Sequence, residues 1–310
     1  MKNVVFIIVT YNRKKLLLDN INWILNQKKI SNYSIIIVDN HGSDNTYDYL
    51  KESLSDLSMI DYHYLDNNIG GAGGFEFGLR TAYKQGFDWF VLMDDDGHAY
   101  DDMCFYNLFR RADEYDFKDL IFFNSLVCND EENLSFGLEH VDKISQLENS
   151  KILNPDNTID GLANPFNGTL VSRGLIEKIG YPHGDFFIKG DEVNFLNRAI
   201  KNGAHVKTIY DSRYYHPMVK NRVKRKVFGH EMYVYIEAPW KEFYNVRNYV
   251  YSTLENEGNT KDALRKTKIY KYKRIYCAIM LKCKKIETIK LIRQGFKDGK
   301  SGKLGIVYRP

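Results

Sequence analysis

Long apolar runs are missing from this chain. The longest, Val4–Val9 and Ile275–Leu281, fall far short of the ~20 residues that a membrane-spanning helix needs, which excludes a transmembrane reading. The first run ends at once in Thr10-Tyr11-Asn12-Arg13-Lys14-Lys15 with no small-residue cleavage site behind it, so secretion is not expected. Cysteine is scarce. Cys104, Cys128, Cys277 and Cys283 form no CxxC pair, and the expectation is reduced thiols in a cytoplasmic protein, not a disulfide frame or a zinc site. Internal repeats and low-complexity segments are absent as well.

What is present suffices for a folded body. Apolar residues make up 44% and charged residues 27% of 310, a composition that can bury a core. The net charge of +4 hides an asymmetry. Residues 261–310 hold 16 Lys and Arg against 3 Asp and Glu, a net +13, while the remainder holds 28 against 37, a net −9. An acidic body carries a basic tail.

Apolar periodicity predicts alternating elements. Val4–Val9 reads as a buried strand, Lys15–Gln27 as a helix, and Ile35–Val38 as a second strand. Asp44 is placed to cap a helix running to Leu54. Ile60–Leu65 reads as a third strand, Phe75–Gln85 as a helix after the glycine stretch, and Trp89–Met93 as a fourth strand. This order predicts an α/β fold with a mainly parallel sheet flanked by helices. Each strand ends in polar residues, and ligands of open α/β sheets bind beyond the carboxyl ends of the strands. Four polar strand ends are therefore expected at one cleft. Residues 129–163 are polar and weakly periodic, and read as excursions over it. Beyond Gly229 the pattern turns helical and basic, which divides the chain into residues 1–228 and a mainly helical 229–310.

The chemistry concentrates in a few places. Asp94-Asp95-Asp96 closes a buried strand, and adjacent carboxylates repel one another unless a cation neutralises them. Hard divalent ions such as Mg²⁺ and Mn²⁺ take such oxygen ligands and bridge them to phosphates. Gly70-Gly71-Ala72-Gly73-Gly74 offers backbone amides to a pyrophosphate at a helix start, or else allows close helix packing. It is neither a GxGxxG fingerprint nor a P-loop. Asp191-Glu192 opens a helix, where a carboxylate serves either as a general base or only as a charge favoured by the helix dipole. His216, beside three carboxylates, would complete a mixed nitrogen and oxygen metal site that leans toward Mn²⁺.

Taken in order, Val9-Thr10-Tyr11-Asn12-Arg13, Val38-Asp39-Asn40, Asn68-Ile69-Gly70-Gly71-Ala72-Gly73-Gly74-Phe75, Asp94-Asp95-Asp96, Asn167-Gly168 and Phe187-Ile188-Lys189-Gly190-Asp191-Glu192 resemble a family 2 glycosyltransferase with the GT-A fold. The series covers roughly residues 1–220 and is most similar to the galactofuranosyltransferase branch; rhamnosyltransferases using dTDP-rhamnose share much of the layout. The resemblance implies a nucleotide-sugar donor (UDP-galactofuranose in that branch), Mn²⁺ or Mg²⁺, and inversion at the anomeric carbon. It also implies a glycan or lipid-linked glycan acceptor in surface polysaccharide assembly. Carried over, Thr10, Asn12, Arg13, Asp39 and Asn40 would hold the nucleotide. Asn68, Gly70, Gly71, Gly73 and Gly74 would line the donor site, with Arg80 near it. Asp94 and Asp95 would face the nucleotide sugar, and Asp94, Asp96 and His216 would hold the metal. Glu192 falls at the position of the catalytic base, with Asp191 beside it. Where some galactofuranosyltransferases carry Trp just before this pair, this chain has Gly190.

The basic tail sustains two readings. Apolar residues from Leu264 to Ile292 recur among lysines and arginines. Such a stretch reads as a contact with an anionic membrane surface, at ~1 kcal/mol per basic residue near anionic lipid. That would make the protein peripheral on the inner face of the plasma membrane. It reads equally as a stripe packed on the catalytic domain or on a second copy in a homo-oligomer. No nucleic-acid motif accompanies the charge, and no nucleic-acid partner is expected.

Overall fold

The computed structural model describes residues 3–218, 223–227, 230–280 and 284–309, so Cys283 and the boundary expected at Gly229 lie outside the described residues. The chain divides into two compact units. One comprises residues up to Pro182 together with Phe195–Met218; the other comprises His183–Asn194 and the chain from Val219 onward.

The first unit opens with β1 (Val4–Thr10), α1 (Lys14–Leu25), β2 (Tyr33–Asp39), α2 (Thr46–Ser53), β3 (Ile60–Tyr64), α3 (Gly70–Lys84) and β4 (Trp89–Asp94). It continues through β5 (His98–Ala99), α4 (Cys104–Ala112), β6 (Ile121–Cys128), β7 (Asn133–Leu138), β8 (Val141–Lys143), α5 (Ile144–Glu148) and β9 (Thr158–Asp160). β10 (Asn167–Ser172), α6 (Arg173–Ile179), α7 (Asp191–Lys201) and β11 (His205–Tyr215) follow; the first turn of α7 counts with the second unit.

The sheet runs β3-β2-β1-β4-β10-β6-β11-β5. Its first four strands are parallel, as the alternating pattern predicts. β10 then enters antiparallel to β4 and β6, so the whole sheet is mixed. Side chains alternate between faces along a strand. Phe6 and Ile8 pack with Leu17, Ile21 and Ile24 of α1 and with Phe105 and Leu108 of α4. Ile7 and Val9 pack on the opposite face with Phe75 and Leu79 of α3 and with Phe195 and Ala199 of α7.

Residues 129–163 depart from the expected irregular excursions. They contain β7, β8, α5 and β9, gathered round Leu134, Leu138, Ile144, Leu147 and Ile159. Elements of three to six residues are too short to show periodicity. Asp44 also differs from its expected role: it accepts the Lys14 amide and the Thr46 hydroxyl, and no side chain caps α2 at Asn45.

The second unit contains a hairpin, β12 (Val223–Val227) with β13 (His230–Val234), and three helices, α8 (Pro239–Glu257), α9 (Lys261–Met280) and α10 (Lys285–Lys300). Phe187, Phe243, Tyr244 and Leu291 form one core; Val246, Val250, Ala278 and Ile292 form another. Glu242 of α8 and Arg274 of α9 make a buried ion pair, with Nε of Arg274 donating to Oε2 at 2.8 Å. The apolar stripe of the tail is thereby split. Leu291 and Ile292 are buried in the unit, whereas Ile269, Tyr272, Ile279, Met280 and Ile286 are exposed. Among the described residues no helix is long and apolar enough to cross a membrane.

Candidate active site

β4 ends at Asp94, and the turn that follows carries Asp95 and Asp96. Arg13, just beyond the β1 end, bridges that turn: its Nη1 donates to Asp95 at 2.9 Å and to Asp96 at 2.8 Å. The Thr10 hydroxyl donates to the other Asp95 oxygen at 2.8 Å. Burial pushes the Asp95 carboxyl above its ordinary range, against the pull of Arg13. Burial would raise Asp96 too, but its bonds to His216 and Arg13 outweigh that and hold it low.

His216 follows β11, whose Tyr215 pairs with His98 in β5 beyond the acidic turn. Its Nδ1 lies 2.8 Å from the Pro217 carbonyl oxygen and its Nε2 lies 3.4 Å from Asp96. A carbonyl contact of this kind fixes the ring with its other nitrogen free to coordinate. Single donor atoms of Asp94, Asp96 and His216 lie within 4.8 Å of one another. Two carboxylates and an imidazole are a donor set that fits a hard or borderline divalent cation. The three residues expected to hold a metal are thus brought together.

The residues expected to hold a nucleotide form a second layer around the β1 and β2 ends. Asp39 Oδ1 accepts the Gly42 amide at 2.7 Å and Asn12 Oδ1 accepts the Ser43 amide at 2.6 Å, while the Tyr62 hydroxyl donates to the other oxygen of Asp39. Asn40 Oδ1 accepts the Ile69 amide at 2.8 Å, and Asn68 Oδ1 accepts that of Gly70 at 2.9 Å. Asn40 and Asn68 therefore shape the entry into α3.

The glycine stretch is the start of α3 itself and not a loop ahead of it. A Cβ at Gly74 would stand 2.5 Å from Val9 Cγ1, whereas one at Gly71 would meet nothing within 4 Å. Gly74 lets the helix approach β1, and Gly71 stands in open space at the helix N-terminus, where amides favour anions. Gly73 turns toward the Ile69 side chain. Arg80 pairs with Glu76 at 2.7 Å, its guanidinium 4.2 Å above the Tyr181 ring. The Asn167-Gly168 pair forms a bulge in β10 beside β4. Gly168 has φ 66°, and a Cβ there would press to 2.9 Å from Ser125 Oγ and Tyr214 Cδ2.

Asp191 and Glu192 open α7 within the second unit; Asp191 is buried and Glu192 partly exposed. The loop before them bends through Phe187 (φ 66°), Lys189 (φ 67°) and Gly190 (φ 84°). Two buried residues of α8 hold it. Arg247 Nη2 donates to the carbonyls of Asp185 and Phe186, each at 3.0 Å, and Asn248 Nδ2 donates to Ile188 at 2.9 Å and Lys189 at 2.7 Å. Burial lowers the Arg247 pKa to about 10. Asn194, one turn into α7, donates to Glu255 at 2.7 Å, and His183 Nε2 meets the other Glu255 oxygen at 2.9 Å.

Sequence reasoning misses two buried amides, Asn20 in α1 and Gln27 just past its end. Asn20 Nδ2 holds the Asp94 carbonyl at 3.0 Å, and Gln27 holds the Asp101 carbonyl at 2.6 Å and the Phe105 amide at 3.0 Å. They brace both ends of the segment that carries the acidic turn. The available signal was two polar residues, seven apart, on the apolar face of an amphipathic helix.

A parallel four-strand half, an acidic turn at a strand end and a mixed donor set beside it define a nucleotide-sugar transferase. Residues 5–180 match Glycosyl transferase family 2, and the chain belongs to that family; it is a glycosyltransferase. It is 32% identical over 255 residues to Galactofuranosyltransferase GlfT1 of Mycobacterium tuberculosis, covering 80% of this chain and 81% of that relative. It is 25% identical over 260 residues to the dTDP-rhamnosyl transferase RfbF of Shigella flexneri, covering 79% and 78%. The mannosyltransferase PcManGT of Pyrobaculum calidifontis, solved with GDP-Man and Mn²⁺, shares the GT-A fold at a TM-score of 0.56 and 14% identity, over 96% of this chain and 75% of that one.

Proposed function

We propose that this chain is a metal-dependent, inverting galactofuranosyltransferase, moving galactofuranose from UDP-galactofuranose to a glycan acceptor in surface polysaccharide assembly. The observation that carries the reading is the gathering of Asp94, Asp96 and His216 within 4.8 Å, in a chain 32% identical to a galactofuranosyltransferase. Thr10, Asn12, Arg13, Asp39 and Asn40, with the amides at the start of α3, hold the nucleotide and its diphosphate. Asp94, Asp96 and His216 hold Mn²⁺ or Mg²⁺, which when bound supplies positive charge against the diphosphate. Glu192 accepts the proton of the acceptor hydroxyl as that oxygen bonds to the anomeric carbon. The bond from that carbon to the diphosphate oxygen breaks on the opposite side, its electron pair staying with the diphosphate. One displacement, with no enzyme nucleophile, inverts the centre.

The test is turnover of UDP-galactofuranose, UDP-galactopyranose, UDP-glucose and dTDP-rhamnose by the purified protein. UDP-galactofuranose should be consumed fastest. The likeness to a dTDP-rhamnosyl transferase makes dTDP-rhamnose the competitor, and its turnover alone would overturn the donor assignment.

The exposed Ile269, Tyr272, Ile279 and Ile286, set among basic residues, support peripheral binding to an anionic membrane surface that presents a lipid-linked acceptor. Changing Lys284, Lys285, Lys290 and Arg293 to Gln should release the protein from anionic vesicles in a sedimentation assay. Unchanged binding would refute the membrane contact, and dissociation into smaller species on a sizing column would identify an oligomer interface instead.

A further inference from the structure

α1 turns a stripe of residues toward a cavity of about 530 Å³ that adjoins the cluster described above and shares Asp95 and Asp96 with it. The volume lies within the roughly 300–1,000 Å³ range of small-molecule sites. Asp19, Asn22, Trp23 and Asn26 line one side, and their spacing of three and four places them on one helical face. Asp96, His98 and Tyr215 line the other side.

Stacked rings join the two sides. The Trp23 and His98 planes are 1° apart with centroids at 5.2 Å, and His98 and Tyr215 are 21° apart with centroids at 4.7 Å. His98 Nδ1 lies 2.7 Å from the Ala99 carbonyl oxygen, which fixes the middle ring. Beside Trp23 on the same face of α1 stand polar groups with few partners. Among the described residues the side chains of Asp19 and Asn22 have no hydrogen-bond partner. Asn26 spends only its amide nitrogen, on the Asn22 carbonyl at 2.8 Å.

The charge of the lining selects the ligand. Arg13 already engages Asp95 and Asp96, and no Lys or Arg lines the cavity itself, so the wall along α1 offers a phosphate no charged donor. The cavity also lies along α1, whose core side packs on the sheet face opposite α3. A neutral ligand with apolar C–H surface and several hydroxyls suits rings flanked by amides and a carboxylate. We propose that this cavity is a saccharide subsite, holding a sugar unit of the glycan away from the reacting hydroxyl. The proposal rests on the reading that the chain extends a glycan, and not on which donor it uses.

The experiment follows the indole N–H resonance of Trp23, assigned with Trp23→Phe, in the full chain saturated with UDP and Mn²⁺. Methyl β-galactofuranoside, its β-linked disaccharide and methyl α-rhamnoside are titrated in turn. Saturable movement of the Trp23 signal by at least one glycoside, while UDP stays bound, is expected. The double variant Asn22→Ala/Asn26→Ala, on the exposed helix face, should weaken that binding about tenfold, as loss of two neutral hydrogen bonds implies. It should raise the acceptor KM with donor KM and kcat unchanged. A Trp23 signal unmoved by every glycoside, moved only by UDP, or a double variant with the wild-type acceptor KM would overturn the subsite. Failure of UDP-galactofuranose turnover with saturable glycoside binding intact would remove the donor assignment alone.

Discussion

The acidic turn after β4 and the loop before α7 are held in opposite ways. Around Asp94–Asp96, charge is set against charge. Arg13, with about half of its side chain exposed (48%), spans two carboxylates, and His216 faces a third contact. In the loop before Asp191, fully buried Arg247 and Asn248 bond to backbone carbonyl oxygens. A site held by ion pairs can be rearranged by an incoming cation, which competes for the same carboxylates. A loop whose carbonyls are held by buried side chains is set when the chain folds. The first region is built to answer a ligand, and the second to carry residues in a fixed place.

The largest effect should come from the charged region. Asp96→Ala removes a proposed metal donor together with a partner of Arg13 and His216, and transfer should fall by about 10³-fold or more. EDTA should silence the wild type, with Mn²⁺ or Mg²⁺ restoring it. Full activity in a chelated sample would dissolve the contrast, because the carboxylates would then answer no cation. The fixed region is probed next with Glu192→Gln, which keeps size but cannot accept a proton. It should lower kcat by ~10²–10⁴-fold while donor binding, read by calorimetry, survives. A dead Asp191→Asn beside a near-normal Glu192→Gln would move the base by one residue.

The smallest shift separates the regions by stability. Arg247→Met removes the hydrogen bonds of a buried guanidinium to the carbonyls of Asp185, Phe186 and Gly305 and should cost about 2–4 kcal/mol in urea unfolding. Arg13→Met, in a half-exposed ion pair, should cost at most about 1 kcal/mol. Equal costs would show that the two regions are not held differently after all.

The two regions also differ in how far they can be read from sequence. Asp94–Asp96 is visible because three carboxylates after a buried strand have few uses. The four parallel strands follow from β-branched runs between amphipathic helices. His216 is harder, since a lone histidine carries no signal until β11 brings it to Asp96. Asn20 and Gln27 left only a faint mark, as polar breaks in an apolar stripe. Arg247 and Asn248 left none: a lone arginine in a helix is usually solvated, and its carbonyl partners lie some sixty positions away. The glycine stretch was misplaced because glycine disfavours helix, and only the contact with Val9 shows why α3 begins there. Side chains that answer other side chains leave patterns in sequence; those that answer distant backbone do not.

The bend through Phe187, Lys189 and Gly190 has a further consequence. Left-handed backbone at a bulky residue such as Phe187 is strained by ~1–3 kcal/mol and persists only where its surroundings over-determine it. Arg247 and Asn248 supply that over-determination, so the strain is offset at folding and not at ligand arrival. A loop already bent has little conformational entropy left to lose when something binds beside it, and that loss is a large part of what weakens association. The three left-handed residues thus mark a preorganised segment, in which rigidity is established in advance by a helix more than fifty residues further along the chain.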